Sequence, residues 1–275
     1  MYERFWQLDR NPFDDDADLR GFFRSETHQA TLLKLRYLIE NGKGAGLLAG
    51  GTGFGKSYLI QVLTQQLAES HGPFIHLVFP QMSAAELLSY LAVELGADTQ
   101  AIGGETGGLD RTVHEIDRLL QKYSAENRHP VIVVDEAHLI EEFQVFQALR
   151  LLLNFQQQKK CRFSLIFVGQ RELLNTVRRL GQLEERLSVK CLLRPLSLDE
   201  TIAYVSHRLE AAGASRPIFE PAAMQPLYEL SGGVPRRINR LCDLALLVGF
   251  ADESPTISAE QVEAVAEELT VVVPD

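Results

Sequence analysis

The stretch AGLLAGGTGFGKS, residues 45–57, decides the fold. Its first half, AGLLAG, is an apolar run of the length of a buried strand. Its second half, Gly50 to Ser57, matches the pattern GxxxxGK[ST] at every fixed position. The glycines at 50, 51, 53 and 55, with Thr52 and the bulkier Phe54 between them, let successive backbone N–H groups curl round a phosphate without Cβ clashes. A helix predicted to open at Ser57 and Tyr58 brings the positive end of its dipole to the same phosphate. Lys56 then reaches the β- and γ-phosphates, and the Ser57 hydroxyl can ligate Mg²⁺. Strand, glycine loop and helix in that order are the context the pattern needs, so the chain is expected to bind ATP with Mg²⁺.

A second stretch, VIVVDEAH (131–138), supplies the complementary half of such a site. Val131 to Asp135 read as a strand buried on both faces, which runs straight into the two carboxylates Asp135 and Glu136. Asp135, at the end of a parallel strand where α/β proteins bind ligands, is expected to hold Mg²⁺ through water. Glu136 is expected to orient and polarise the attacking water, which points to hydrolysis beyond binding. Asp-Glu-Ala-His also names a class of helicases, so the tetrad alone leaves the activity open. His138 is assigned no chemical role.

Strand and helix patterns alternate on either side of these stretches. The runs at 74–79 (FIHLVF), 163–168 (FSLIFV) and 187–193 (LSVKCLL) read as further buried strands. Helices are expected from Ser57 to Ala68, from Ser83 to Leu95 with a Ser-x-x-Glu capping box, from near Asp110 after the flexible GGETGG loop (103–108), and from Phe143 to Gln158. Past Leu193-Arg194-Pro195-Leu196 only helical patterns remain. One is capped by Ser197-x-x-Glu200 and ends at Gly213, one runs from about Pro221 to Leu230, one follows Gly232-Gly233-Val234-Pro235, and one is capped by Ser258-x-x-Gln261. The expected architecture is an α/β domain with a parallel sheet over residues 1–194 and a small all-helical domain over 195–275.

Further polar groups fall where they could serve the site. Gln170 follows the strand ending at Gly169 and could sense the γ-phosphate; a helix N-cap contact is the bland alternative. Arg186 precedes the last strand and could act on a neighbouring subunit's nucleotide, with Arg178 and Arg179 as competitors and a surface salt bridge to Glu184 or Glu185 as the alternative. Arg236, or else Arg237, lies on the first turn of the helix opened by Pro235 and could reach back over the nucleotide.

The 275 residues carry a formal net charge of −10, with 45% apolar side chains. That balance argues against a protein that coats nucleic acid and leaves room for a substantial core. The three cysteines, Cys161, Cys191 and Cys242, form no CxxC pair and are expected to be reduced, as in the cytoplasm. The seven histidines show no metal-ligand spacing, so no zinc is expected. The start MYERFWQLDRNPF lacks the apolar core of a leader, and no stretch approaches the roughly 20 apolar residues of a membrane span. LALLVGFA (244–251) is expected to be a core helix.

Taken together, the phosphate loop, the VIVVDEAH strand, the arginine before the last strand and the GGVPRRIN turn (232–239) resemble an AAA+ ATPase. Asn11-Pro12-Phe13, Ser25-x-x-His28, LRLLLNF (149–155), FVGQREL (167–173), LRPLSLDETIAYVSHRLEAAG (193–213) and GGVPRRINRLCDLALL (232–247) narrow this to the ExeA/GspA family. The resemblance implies a P-loop AAA+ core with a helical lid and ATP at their junction. It also implies that the segment from Pro12 to His28 borders the adenine. His138 departs from the glutamine more usual after DEA in that family. ExeA-type members help place a secretin of type II secretion, similar ATPases serve type IV pilus biogenesis, and close relatives are DNA-binding transposition helpers. Envelope members often carry a membrane span and a peptidoglycan-binding domain after this module; neither is read in these residues. The expectation is therefore an ATPase that self-associates with ATP, as a ring or other homo-oligomer, to assist a secretion or pilus-type machine, reaching the membrane through a protein partner. A DNA-binding helper of transposition or replication is the alternative. A helicase fits less well, because no second RecA-like core fits in the remaining residues.

Overall fold

The computed structural model describes residues 1–14, 21–67, 71–78, 81–98, 109–159 and 161–271. The loop expected at 103–108 lies outside them. The chain divides into two compact units. One comprises Thr27–Gly51 and Lys56–Leu193; the other comprises Met1–Glu26, Thr52–Gly55 and Arg194–Asp275.

The first unit is an α/β layer structure. Five strands, β1 (Ala45–Ala49), β2 (Phe74–Leu77), β3 (Val131–Val134), β4 (Ser164–Gly169) and β5 (Leu187–Leu192), form one parallel sheet in the order β2-β3-β4-β1-β5. Every residue of β1, β3 and β4 is buried, as expected of inner strands covered on both faces. The stretch at 187–193 departs from the buried strand that its apolar content suggested. β5 is an edge strand whose residues alternate buried and exposed, so Ser188, Lys190 and Leu192 face outward. An edge strand has a neighbour on one side only, and outward polar residues blunt it.

Among the described residues, the helices of this unit are α2 (Glu26–Glu40), α3 (Lys56–Gln66), α4 (Ala84–Glu94), α5 (Leu109–Ala125), α6 (Phe143–Lys159), α7 (Glu172–Arg179) and α8 (Gly181–Glu184), following the short α1 (Glu3–Trp6) of the other unit. Ser83 forms the expected capping box with Glu86 at the start of α4. One core runs through the sheet and its covering helices, with Phe163, Phe167, Leu91, Leu120, Leu149 and Leu165 fully buried. Gly46 on β1 permits the close approach of α2, since a Cβ there would stand 3.0 Å from Leu38 Cδ2.

In the second unit, α9 (Leu198–Ala211), α10 (Met224–Ser231), α11 (Pro235–Ala251) and α12 (Ala259–Val271) follow one another. The segment expected from Pro221 to Leu230 divides into a 3₁₀ turn, Pro221–Ala223, and α10. Ser197 caps α9 in a second capping box, Pro235 occupies the first turn of α11, and Ser258 and Gln261 bond reciprocally at the start of α12.

Residues 1–26 belong to this helical unit and not, as the sequence suggested, to the α/β domain. Tyr2, Trp6, Leu8 and Phe13 are buried in the core formed by Tyr204, Leu227, Ile238, Leu241 and Leu246. Trp6 donates its indole N–H to the Leu246 carbonyl at 3.0 Å, and the Tyr2 hydroxyl donates to Asp243. The physical reason is that Tyr2, Phe5, Trp6, Leu8 and Phe13, all within the first thirteen residues, need a core, and the four-helix unit alone is small.

Candidate functional site

Sequence places the glycine loop between β1 and α3, and local hydrogen bonds shape its ends. Gly50 donates its N–H to the Gly169 carbonyl at 3.2 Å, so the loop leaves the sheet in register with the end of β4. Gly53 and Gly55 hold φ values of 79° and 81°, the left-handed region that side chains resist. The Lys56 ammonium is buried and donates to the carbonyls of Gly50 and Gly51, each at 3.1 Å. A buried cation needs such partners, and a phosphate is a stronger acceptor than a carbonyl.

Ser57, on the first turn of α3, donates its hydroxyl to Asp135 Oδ2 at 2.9 Å. Asp135 follows β3 and is 2% exposed. Burial pushes its pKa up. Hydrogen bonds from His76, from the Glu136 N–H at 2.8 Å and from Ser57 outweigh burial, and the net pKa is lowered. Asp135 is therefore a carboxylate under ordinary conditions. Ser57 and Asp135 supply two converging hard oxygen donors, a set that suits Mg²⁺.

Sequence reasoning missed His76. It sits on β2 beside β3, and its Nε2 lies 3.3 Å from Asp135 Oδ2. The available signal was a lone polar residue in the run FIHL, next to the strand that carries the carboxylates. Glu136 adopts φ 50° and ψ 31°, left-handed for a non-glycine residue, and its side chain is 38% exposed. A short 3₁₀ turn, Ala137–Leu139, follows.

The remaining expected residues are distributed over both units. Tyr58 is half-buried on α3, and Phe54 is buried. Gln170 is half-buried after β4, and its backbone N–H donates to His138 Nδ1 at 3.4 Å. Arg186 departs from the expected alternative of a salt bridge to Glu184 or Glu185. Its guanidinium donates to Asn154 Oδ1 on α6 at 3.0 Å, while Glu184 pairs with Lys190 at 2.6 Å. Arg178 and Arg179 are exposed at the end of α7, and Arg179 helps line a cleft with Phe143, Phe146 and Arg150.

His28 is buried on α2 of the α/β unit. Pro12 belongs to the helical unit, where its carbonyl accepts from Arg208 Nε at 2.6 Å. Residues 15–20 between them lie outside the described ones. Also within the helical unit, the Arg236 N–H donates to the Gly53 carbonyl at 3.3 Å, and a Cβ on Gly53 would stand 2.9 Å from Arg236 Cβ. Arg236 and Arg237 are both exposed. Among the described residues, no helix is long and apolar enough to cross a membrane.

Comparison with known proteins places this arrangement. The family described as AAA domain matches residues 39–177, half of the chain. General secretion pathway protein A of Aeromonas hydrophila is 34% identical over 273 residues, which cover 98% of this chain and 49% of that protein. This chain thus spans about half the length of its curated relative. Among solved structures, Cdc6p from Pyrobaculum aerophilum matches with a TM-score of 0.74 at 14% identity, over 97% of this chain and 75% of that one. The Aeropyrum pernix ORC2 protein in its ADPNP–ADP complexes matches at 0.71 and 17%, over 97% and 73%. The Thermotoga maritima RuvB Holliday junction branch migration motor matches at 0.61 and 19%, over 94% and 73%. At these identities the likeness to solved structures is one of fold, a P-loop core with a helical lid. The glycine loop before α3, the carboxylates after β3 and the relative named above converge on one conclusion: the chain belongs to the AAA family, as an ExeA/GspA-like AAA+ protein.

Proposed function

We propose that this protein binds ATP with Mg²⁺ at the loop Gly50–Ser57 and hydrolyses it. The observation that carries the reading is the 2.9 Å hydrogen bond from Ser57 to Asp135, which joins the start of α3 to the end of β3. Lys56 exchanges the Gly50 and Gly51 carbonyls for phosphate oxygens. Ser57 and Asp135 would hold Mg²⁺, whose charge offsets the negative charge developing on the phosphates. Glu136, the more exposed carboxylate, orients the attacking water and draws on its proton. Gln170 stands at the end of the neighbouring strand as the γ-phosphate sensor. Arg236, on the first turn of α11 and bonded to the Gly53 carbonyl, is the lid arginine. Pro12 and His28 mark the adenine side.

Beyond hydrolysis, we infer nucleotide-dependent self-association in the service of a secretion or pilus-type assembly. The 34% identity to a protein named for general secretion supports this, and Arg186 would act across the subunit boundary. Equilibrium binding of ATP to the wild type and to Lys56→Ala tests the site, with binding expected to be lost in the variant; unchanged affinity refutes the assignment. Turnover measured with and without duplex DNA at fixed salt separates the assembly role from the DNA-helper alternative. Salt-sensitive stimulation by DNA would favour the latter.

A further inference from the structure

His138 is placed to do more than fill space. It lies in the 3₁₀ turn after Glu136, and its side chain is 11% exposed. Its ring rests against the end of β4, where a Cβ on Gly169 would stand 3.2 Å from the His138 backbone nitrogen and 3.3 Å from Nδ1. A single atom, Nδ1, faces two groups. It accepts the Gln170 backbone N–H at 3.4 Å, and it stands 3.4 Å from Glu136 Oε2.

One ring nitrogen cannot satisfy both neighbours. In neutral imidazole each nitrogen is either a donor or an acceptor. With its lone pair at Nδ1, the ring accepts from Gln170 and meets the Glu136 carboxylate acceptor to acceptor. With its proton at Nδ1, the ring donates to Glu136, and the Gln170 N–H loses its acceptor. Leaving the half-buried Gln170 N–H without its acceptor costs up to about 1–3 kcal/mol, whereas the Glu136 carboxylate, 38% exposed, can turn to water. The neutral ring therefore has two tautomers, and each serves only one of these neighbours at Nδ1.

We propose that His138 is a positioning residue for hydrolysis, which links the backbone at the end of β4 to the orientation of the Glu136 carboxylate. While Nδ1 serves Gln170, Glu136 is unheld; when Gln170 shifts, Nδ1–H holds the carboxylate in place for the attacking water. The choice is one of tautomer and partner and consumes no net proton. This inference rests on the reading of Glu136 as the water-polarising group.

The test is steady-state ATP turnover by the full chain, comparing wild type, Glu136→Gln, His138→Phe and His138→Asn. Phenylalanine keeps the ring without nitrogens, and asparagine restores a polar atom near the position of Nδ1. His138→Phe is expected to lower kcat about tenfold with KM within about twofold, the pattern of an interaction made in the transition state. His138→Asn should recover most of that loss. In the Glu136→Gln background, His138→Phe should cost little more, because the two residues act as a unit. Wild-type kcat in His138→Phe, an asparagine variant as slow as the phenylalanine one, or an equal further loss in the Glu136→Gln background overturns the proposal. A wild type without turnover, or Glu136→Gln at the wild-type rate, overturns the hydrolytic reading itself and the proposal with it.

Discussion

Gly232 and Gly233 offer a paired test of how the helical unit is held together. Both have positive φ, 60° and 68°, in the turn between α10 and α11. Their surroundings differ. A Cβ on Gly232 would meet nothing within 4 Å, whereas on Gly233 it would stand 2.1 Å from the Leu196 carbonyl oxygen. Alanine at Gly232 should cost about 1 kcal/mol, the left-handed penalty less the reduced entropy of the unfolded chain. Alanine at Gly233 carries the same term and also forces the backbone away from Leu196. That breaks the 2.8 Å bond from the Leu196 N–H to the Gly233 carbonyl. With that bond worth about 1 kcal/mol and the displacement at least as much again, the total is about 3 kcal/mol. Trp6, the only tryptophan in the chain, is buried in this unit and reports its unfolding. With a urea dependence of about 1–3 kcal/mol per molar, Gly233→Ala should lower the midpoint of the fluorescence transition by about 1–3 M. The shift for Gly232→Ala should stay below about 1 M. Equal midpoints for the two variants would refute the reasoning, since a Cβ meets Leu196 at Gly233 and nothing within 4 Å at Gly232.

Three further outcomes are expected. Mixing Arg186→Ala with Lys56→Ala subunits should restore turnover that neither shows alone; no restoration would make the Arg186–Asn154 bond a local one only. Asp135, its pKa lowered, keeps its charge above the ordinary aspartate range and loses it only as pH falls through a still lower value. Mg²⁺-dependent ATP binding should accordingly hold between pH 7 and pH 5 and weaken about tenfold or more in Asp135→Asn, measured by Mg²⁺ titration. Burial lowers the His129 pKa from 6.5 to about 4, with the charges of His71 and Arg162 adding to it. A depressed folded-state pKa means stability that is full above 6.5 and lost as pH falls towards 4, at most about 3 kcal/mol. Urea midpoints between pH 7 and pH 4.5 should show this loss, and His129→Gln should flatten it.

The parts legible in the sequence are those written in neighbouring residues. The glycine loop, the strand into Asp135-Glu136 and the serine caps at 83, 197 and 258 depend on groups within a few positions of one another. Such groups meet in whatever larger structure the segment enters. β5 was readable as a strand, but its place at the sheet edge beside β1 was not, because apolar content does not specify neighbours. The same limit applied to the partners of the site. His76 meets Asp135 across 59 residues, Arg186 meets Asn154 across 32, and Trp6 meets Leu246 across 240.

The sequence by itself thus determined the class of fold and the phosphate-binding chemistry, because both rest on local pattern and backbone geometry. The tertiary structure alone decided which unit claims the first 26 residues, what keeps Asp135 ionised, and that His138 stands between Glu136 and Gln170. Those contacts arise where strand order and helix packing bring distant segments together. Hydrogen bonds lose their strength within a few tenths of an ångström, and composition holds no information at that precision.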